Sequence, residues 1–258
     1  MHGYHPRENE RLQDQAATLV DLLHADTKYP SGATVLEAGC GVGAQTITLA
    51  QNSPRARFMC VDVSADSLAE AKRRAIVAEL ENVEFGQADI FALPFEAESF
   101  DHAFVCFVLE HLARPIEALA MLRSLIKPGG TITVIEGDHG STYFHPDSAA
   151  ARAAIHCQIE LQQLAGGNAL IGRQLYPLML AAGLESVRVS PRMVYVDSSR
   201  PDLVEGFTKN TFTAMIEGVC ESAVATGLSS EKPSTKASET SVGQRKQMAC
   251  SAILSLRA

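Results

Sequence analysis

The sequence lacks the features that mark three common classes of protein. Its six cysteines stand singly, with no C-x-x-C pair, which argues against a structural zinc site. No apolar run approaches the ~20 residues of a membrane span, and the polar first ten residues do not resemble a secretory signal. Basic residues form only one triplet, at 72–74, in a chain of net charge −8. We therefore expect a reduced, cytoplasmic protein without a metal, which binds neither nucleic acid nor an anionic membrane.

A regular alternation of strand and helix patterns is what the sequence has instead. Amphipathic or helix-favouring segments predict helices over 8–24, 44–51, 66–80 and 115–126. Apolar and β-branched runs predict strands that begin at residue 35 and that cover 57–63, 83–85, 103–109 and 131–136. Strict alternation of this kind predicts an α/β fold, a doubly wound and mostly parallel sheet with helices on both faces.

The second half of the chain departs from this rhythm. A polar loop over 137–146 precedes predicted helices over 148–164 and 174–182, and we interpret 137–183 as a helical lid insertion. A strand is predicted over 186–196 and a mostly helical segment over 202–225. The Ser-, Thr- and Lys-rich composition of 227–247 predicts disorder, and 248–258 is a possible last strand. The predicted organisation is thus a single domain over 1–226 with a core over 30–136.

The most informative motif is the run TVLEAGCGVG at residues 34–43. A strand leads through Glu37 into three alternating glycines, and a helical pattern follows. This geometry holds a nucleotide-like ligand against backbone N–H groups, and glycine is needed because a Cβ would obstruct the turn. The motif also satisfies the dinucleotide pattern G-x-G-x-x-A, with Asp62 near the spacing of a ribose-binding acid.

Two acidic residues shift the balance away from a dinucleotide. Glu37 lies at the end of the first predicted strand, where it would repel a pyrophosphate but suit an ammonium or a sulfonium group. Asp89 follows the third strand, so its carboxylate can accept from the exocyclic amine of adenine while Ile90 packs on the ring. The tight turn at 127–130 then closes the sheet without a second nucleotide-binding half.

Taken together, these motifs resemble the class I S-adenosylmethionine-dependent methyltransferases, and within them the ubiquinone/menaquinone-biosynthesis-like group. The resemblance covers residues 30–136 and rests on 35–43, Asp62, 88–90, 93–95, 100–101, 109–111 and 127–130. It implies a seven-stranded Rossmann-like sheet, S-adenosylmethionine as the cofactor and S-adenosylhomocysteine as the product. It also implies the cofactor-binding residues, which are Glu37, Gly39 and Gly41 at the glycine turn, Asp62 on the ribose, Val63 on the adenine, Asp89 and Ile90 at the adenine edge, Phe107 near the methionine part, and Tyr4 in an N-terminal arm.

The implied chemistry needs few groups. A sulfonium methyl is already electrophilic, so the protein must align the acceptor, exclude water and, for some acceptors, remove a proton. His139 follows the fifth strand and is a candidate general base; alternatively, Asp138 and His139 only cap the next segment. Glu110 follows the fourth strand and is a second catalytic candidate; alternatively, Glu110 and His111 only begin a helix.

The acceptor is predicted only by class, as a small organic molecule such as a quinone, a phenol, an amine or a natural-product intermediate. The fourth strand is not followed by an Asn/Asp-Pro-Pro-aromatic loop or by clustered aspartates, which nucleic-acid and metal-dependent enzymes would show. Two other functions stay open. One is an NAD(P)-dependent oxidoreductase, although no Tyr-x-x-x-Lys pair is present. The other is a non-catalytic regulatory or partner protein with a methyltransferase fold.

Overall fold

The computed structural model describes residues 18–215, and within them a single sheet of five parallel strands forms the centre of the protein. The strands are β1 (Thr34–Ala38), β2 (Arg57–Asp62), β3 (Val83–Gln87), β4 (Phe100–Cys106) and β5 (Ile126–Ile135). Their order across the sheet is β3-β2-β1-β4-β5, and each neighbouring pair is parallel. The order therefore reverses between β1 and β4, which is where an open α/β sheet forms its ligand crevice.

Helices connect the strands and follow the sheet. They are α1 (Val20–His24), α2 (Thr46–Asn52), α3 (Ala65–Val77), α4 (Pro115–Leu125), α5 (Ala149–Leu164), α6 (Leu175–Ala181) and α7 (Pro201–Leu203). A π-helix over Val204–Thr213 continues α7, and short 3₁₀ turns cover Leu109–His111, His139–Ser141 and Ile171–Gln174. The predicted α/β, doubly wound class is confirmed, with five strands in the described part of the chain.

Local sequence signals fix the ends of the helices. Ser64 caps α3 by accepting from the N–H of Ser67 at 3.2 Å, and Ser148 caps α5 in the same way. α4 begins with Pro115 in its first turn, where the missing N–H has no helical partner to lose. These signals place the predicted helices within a few residues of their observed bounds.

The sheet is buried on both faces, which is why its central strands are continuously apolar. On one face, Leu36 packs with Leu119 and Leu122 of α4; on the other, Val35 packs with Leu49 of α2. All five side chains have no exposed surface. Burial of each contributes about 1.5–3 kcal/mol, so this core holds the strand ends, and the loops that follow them, in fixed positions.

Three predicted strands differ from the structure. β5 begins at Ile126 and not at residue 131, so it includes the predicted turn at 127–130. β4 ends at Cys106 and not at residue 109, because Phe107 takes a left-handed φ of +56° and Leu109 begins a 3₁₀ turn. The strand predicted over 186–196 is wrong, since this segment pairs with no strand in the described part of the chain. Pro191 has no N–H to donate to a ladder, and Arg192 is anchored elsewhere.

Arg192 joins the 186–196 segment to the end of α1. Its guanidinium donates to the backbone carbonyls of Leu22 and Leu23 at 2.8 and 2.9 Å. Its Nη2 also donates to both carboxylate oxygens of Asp26 at 2.6 Å, and this ion pair lowers the pKa of Asp26. Side-chain contacts therefore hold in place a segment that has no regular backbone pairing.

Several predictions concern residues outside the described range. These are Tyr4, the part of the first helix before residue 18, the end of the 202–225 helix beyond residue 215, the segment 227–247 and the possible strand at 248–258. The predicted division into domain, lid and tail stays a prediction. Within residues 18–215, no helix is both long and apolar enough to cross a bilayer.

Candidate functional site

The glycine turn after β1 is built so that its middle residue faces open space. Gly39, Gly41 and Gly43 all have positive φ, at +79°, +53° and +75°. A Cβ on Gly39 would lie 2.4 Å from a methyl of Val108, and one on Gly43 would lie 3.1 Å from Ala71. A Cβ on Gly41 would meet nothing within 4 Å. The outer glycines are therefore required by packing, while Gly41 presents bare backbone to the cleft.

Asp62 joins this turn to the next loop. It ends β2, and one carboxylate oxygen accepts from the N–H of Gly41 at 2.9 Å while the other accepts from the N–H of Ser64 at 2.9 Å. Each oxygen of a carboxylate can accept a second hydrogen bond, so Asp62 can hold the glycine turn and still bind a ligand hydroxyl. Val63 follows it, lines the cleft and is 62% exposed.

Asp89 and Ile90 lie after β3 on the wall of the same cleft. Asp89 is exposed, and its carboxylate accepts from the N–H of Phe91 at 2.9 Å, which fixes the loop as an Asx turn. Ile90 is half-buried beside it. The structure therefore brings Asp62, Val63, Asp89 and Ile90 together at the carboxyl ends of β2 and β3.

Phe107 follows β4 and lines the cleft on its other side. Its N–H donates to the carbonyl of Ile135 at 2.9 Å. An aromatic residue in the left-handed region is strained by roughly 1–3 kcal/mol. The neighbouring β5 thus helps to hold Phe107 in a conformation that turns the chain sharply at the cleft.

Glu37 is not where the sequence pattern suggested. It was expected beside the ligand, but its side chain is 2% exposed and does not line the cleft. It accepts from the Thr46 hydroxyl at 2.6 Å, and in register it lies between Cys60 and Phe104, on the face covered by α2. Burial raises the pKa of Glu37 to about 7, with hydrogen bonds from Thr46 and Cys60 opposing the rise. Glu37 therefore stabilises the first turn of α2 from within the core.

The ends of β4 and β5 carry a second, buried group of polar residues. Glu110 is 8% exposed, and its carboxylate accepts from the side-chain amide of Gln162 at 3.1 Å. Nε2 of His139 lies 3.7 Å from the same carboxylate oxygen, and Nε2 of His111 lies 3.6 Å from the other. Both predicted catalytic residues, Glu110 and His139, are therefore neighbours on the cleft wall.

The pKa of Glu110 reflects opposing causes. Burial acts to raise it, but the contact with His139, the charges of His111 and His139 and the amide of Gln162 together lower it. Glu110 is thus held as a carboxylate in a poorly solvated position, which is the state that can stabilise a positive charge on an adjacent imidazole.

Glu136 is a member of this group that the sequence reasoning did not assign to the site. One of its carboxyl oxygens accepts from the N–H groups of Val108 and Leu109 at 3.0 and 2.7 Å. The other, Oε2, is buried and has no hydrogen-bond partner in the described chain. Burial, together with the charge of Glu110, raises the pKa of Glu136 to about 8. The sequence signal that could have identified Glu136 is its position directly after β5, since Glu110 follows the neighbouring strand β4.

A pair of loops closes this side of the site. The carboxylate of Asp138 is held by Arg173 at 2.9 Å, and it also accepts from the Ser141 hydroxyl. The N–H of His139 donates to the carbonyl of Ala169 at 3.0 Å. These contacts order the loop, although the Asp138 side chain makes no capping hydrogen bond to the 3₁₀ turn that it precedes. Across residues 18–215, no three His, Cys, Asp or Glu side chains are arranged to hold a metal ion.

The fold and the glycine turn define a nucleotide-binding α/β protein, and comparison with known proteins identifies its kind. A family model described as a methyltransferase domain matches residues 35–130. An uncharacterized 37.1 kDa protein in transposon Tn4556 of Streptomyces fradiae is 37% identical over 191 residues, which are 72% of this chain and 54% of that protein. A demethylmenaquinone methyltransferase of Lactococcus lactis is 31% identical over 110 residues, 42% of this chain and 44% of that one.

A solved structure shows the same fold over a longer range. Phosphoethanolamine N-methyltransferase 2 of Haemonchus contortus, in complex with S-adenosyl-L-methionine, superposes with a TM-score of 0.60 and 16% identity, covering 87% of this chain and 55% of that one. The matched methyltransferase domain and these relatives support the class I S-adenosylmethionine-dependent methyltransferase family for this chain. It spans about half the length of the curated relatives that it matches.

Proposed function

We propose that this protein transfers the methyl group of S-adenosylmethionine to a small organic acceptor. The observation that carries the proposal is the glycine turn, whose middle residue, Gly41, faces open space while its N–H is tied to Asp62. This turn lies at the point where the strand order reverses. The match of residues 35–130 to a methyltransferase domain supports the same interpretation independently.

The residues of the turn fit the proposed cofactor. Gly39 and Gly41 would allow the methionine and ribose parts of S-adenosylmethionine to approach the backbone closely. Asp62 can accept further hydrogen bonds from the ribose hydroxyls. Asp89 and Ile90 would hold the adenine edge, Val63 its face, and Phe107 the methionine side, with Tyr4 as a further predicted contact. When bound, the cofactor supplies an electrophilic methyl group.

The acceptor is proposed to bind at the ends of β4 and β5, beside Glu110 and His139. Exposed apolar residues line the cleft, among them Tyr143, Tyr176, Met193 and Tyr195. They favour an organic acceptor with an apolar body, of the quinone, phenol or natural-product kind. The similarity to a demethylmenaquinone methyltransferase supports the same class.

Calorimetric titration with S-adenosylhomocysteine tests the proposal. We expect saturable binding by the full chain and no binding of NADH, which is the matched probe for the oxidoreductase alternative. A folded protein that gives no heat with S-adenosylhomocysteine would overturn the proposal. Transfer of labelled methyl groups into metabolites of a cell extract then separates an enzyme from a non-catalytic binding protein.

A further inference from the structure

The end of α1 is joined to the beginning of α2 by a hydrogen bond between two side chains. His24 is the last residue of α1 and is 3% exposed, and its Nε2 lies 2.6 Å from Oε1 of Gln45. Gln45 directly precedes α2, two residues after Gly43, and its carbonyl accepts from the N–H of Leu49 at 3.0 Å. The bond from His24 therefore reaches the point where the glycine turn becomes a helix.

The first turn of α2 is held from two directions through neighbouring residues. On the core side, the hydroxyl of Thr46 donates to Glu37 at 2.6 Å. On the side of α1, Gln45 meets His24, and its side chain makes no capping hydrogen bond to α2. A binding site keeps its geometry only when the residues behind it are themselves held by packing and hydrogen bonds. The position of the glycine turn therefore depends on both of these bonds.

The hydrogen bond to Gln45 determines which form the His24 ring takes. The carbonyl oxygen of an amide can only accept, so Nε2 is the ring nitrogen that carries the hydrogen. Nδ1 is buried and has no partner among residues 18–215. Burial lowers the pKa of His24, the bond to Gln45 opposes this change, the charge of Arg192 adds to it and that of Asp26 opposes it. His24 is thus a neutral donor near neutral pH.

Packing against the sheet fixes the orientation of the same ring. His24 lies against Phe104 of β4, with the ring centroids 5.7 Å apart and the ring planes at 32°. Phe104 has no exposed surface, and side chains in a close-packed interior have little freedom to move. The ring is therefore held in the orientation that points Nε2 at Gln45.

Arg192 holds the end of α1 from the other side. Its guanidinium donates to the carbonyls of Leu22 and Leu23 at 2.8 and 2.9 Å and pairs with the carboxylate of Asp26. The last carbonyls of a helix have no partner within it, so Arg192 satisfies two groups that the helix leaves free. These contacts flank His24 in sequence on both sides, and they fix the backbone from which its ring projects.

Resting on the function proposed above, we propose that His24 is a positioning residue for the cofactor, which holds the glycine turn through Gln45 while Arg192 anchors the helix end that carries it. His24 does not line the cleft, so it acts through Gln45 and not by touching the ligand. Arg192 is one step further away. Cofactor affinity should therefore depend on two residues that lie outside the glycine turn and need not contact S-adenosylmethionine.

Calorimetric titration of the full chain with S-adenosylhomocysteine tests the role of His24. His24→Leu removes the donor, His24→Gln returns an N–H near the place of Nε2, and Asp21→Asn alters an exposed residue of the same helix as the control. We expect His24→Leu to weaken binding about five- to tenfold, because one hydrogen bond is lost and the turn loosens. His24→Gln should recover most of the affinity, and Asp21→Asn should bind like the wild type.

Gln45→Leu breaks the same bond from its other end. Gln45 is half-buried, so this variant provides the measurement even if His24→Leu does not fold. We expect it to weaken binding, and the double variant His24→Leu/Gln45→Leu to be no weaker than the weaker single variant, since both remove one interaction.

A second double variant tests the step from Arg192 to His24. Arg192→Met should weaken binding about two- to fivefold, as for a residue that acts through its neighbours, and should add nothing in the His24→Leu background. Arg188→Met, at an exposed position on the same segment, is the control.

Nuclear magnetic resonance of the ligand-free chain, labelled with ¹⁵N, measures the same coupling without cofactor. The ring signals of His24, identified by their absence from His24→Gln, should show the hydrogen on Nε2. The backbone amide signals of Gly41 and Gly43 should shift in His24→Leu and in Arg192→Met, and should stay in place in the two control variants.

Four results would overturn the inference. They are a His24→Leu variant that binds as tightly as the wild type, a His24→Gln variant that binds no better than His24→Leu, a His24 hydrogen on Nδ1, and glycine signals that do not respond. Fully additive losses in His24→Leu/Arg192→Met would overturn the role of Arg192. If the wild type itself does not bind S-adenosylhomocysteine, the methyltransferase proposal fails, and the signals of Gly41 and Gly43 still decide whether His24 positions the turn.

Discussion

The two halves of the cleft are formed by different kinds of chemical group. At the ends of β1, β2 and β3, backbone groups form the site: the bare turn at Gly41 and the N–H groups held by Asp62. At the ends of β4 and β5, buried side chains form it, and Gln162 reaches Glu110 across 52 residues of sequence. The first half suits a ligand whose chemistry never varies. The second can change with single substitutions, as expected of the half that is proposed to bind the acceptor.

The largest expected effect lies where the two halves touch. Gly39→Ala would place a Cβ 2.4 Å from Val108, on a residue with φ of +79°. We expect a loss of about 3 kcal/mol in the free energy of unfolding, from overpacking and left-handed strain combined. Chemical denaturation measures it. Gly129→Ala is the control, since it has a similar φ but open space and costs only about 1–2 kcal/mol. Equal losses of unfolding free energy in the two variants would mean that Val108 moves aside to accommodate the added methyl group.

Substitution of Asp62 tests the backbone-built half directly. Asp62→Ala removes both the ribose acceptor and the bond to the Gly41 N–H, so we expect affinity for S-adenosylhomocysteine to fall about 10- to 100-fold, or 1.5–3 kcal/mol. Calorimetry measures the change, with the exposed Glu84→Gln as control. An unchanged affinity would place the ribose elsewhere in the cleft.

Dependence on pH should come from the side-chain-built half. The pKa of Glu136 is raised by burial to about 8, so the folded state favours its protonated form. This stabilisation is present below the usual glutamate range near pH 4.5 and is lost as pH rises towards 8. We expect the unfolding free energy of the wild type to fall relative to that of Glu136→Gln between pH 5 and 8, by at most about 1.4 kcal/mol per pH unit.

Denaturation curves of the wild type and Glu136→Gln across this range provide the measurement. If the two curves run parallel, the carboxyl of Glu136 does not gain a proton on folding. The difference between the two halves would then be one of geometry alone.

The smallest expected effect compares two helix caps, one in each half. Ser64 caps α3 and Ser148 caps α5, each through a 3.2 Å bond to a backbone N–H. Replacing either by Ala should lower the unfolding free energy by about 1 kcal/mol. Only Ser64→Ala should also weaken S-adenosylhomocysteine binding, by a few-fold, because losing the cap loosens the backbone whose N–H at residue 64 donates to Asp62. Equal binding by both variants would show that the α3 cap and Asp62 are independent.

Sequence patterns predicted the local structure of the backbone-built half, because the determinants of that structure are local. The glycine turn, Asp62 and the Ser64 cap lie within thirty residues of each other, and each has a signature in residue type and spacing. The five strands were placed because parallel strands buried on both faces are continuously apolar.

What sequence could not provide depends on the direction of side chains and on distant packing. Glu37 was placed at the cleft because an acid precedes the glycines, but the pleat of β1 turns it towards α2. Glu136, which was not assigned to the site, belongs to it only through its proximity to Glu110 and its bonds to the N–H groups of Val108 and Leu109, which are distant in sequence. Residues 186–196 alternate like a strand, yet Pro191 and the contacts of Arg192 decide otherwise.

The Arg192 contacts have a mechanical consequence. Two stretches of chain about 170 residues apart, the end of α1 and the segment around Arg192, both border the cleft and are fastened to each other by one guanidinium. Arg192 therefore couples the two stretches of chain that form the rim on that side of the cleft. Any motion that widens the cleft there must carry both stretches together or break all four hydrogen bonds of that one side chain.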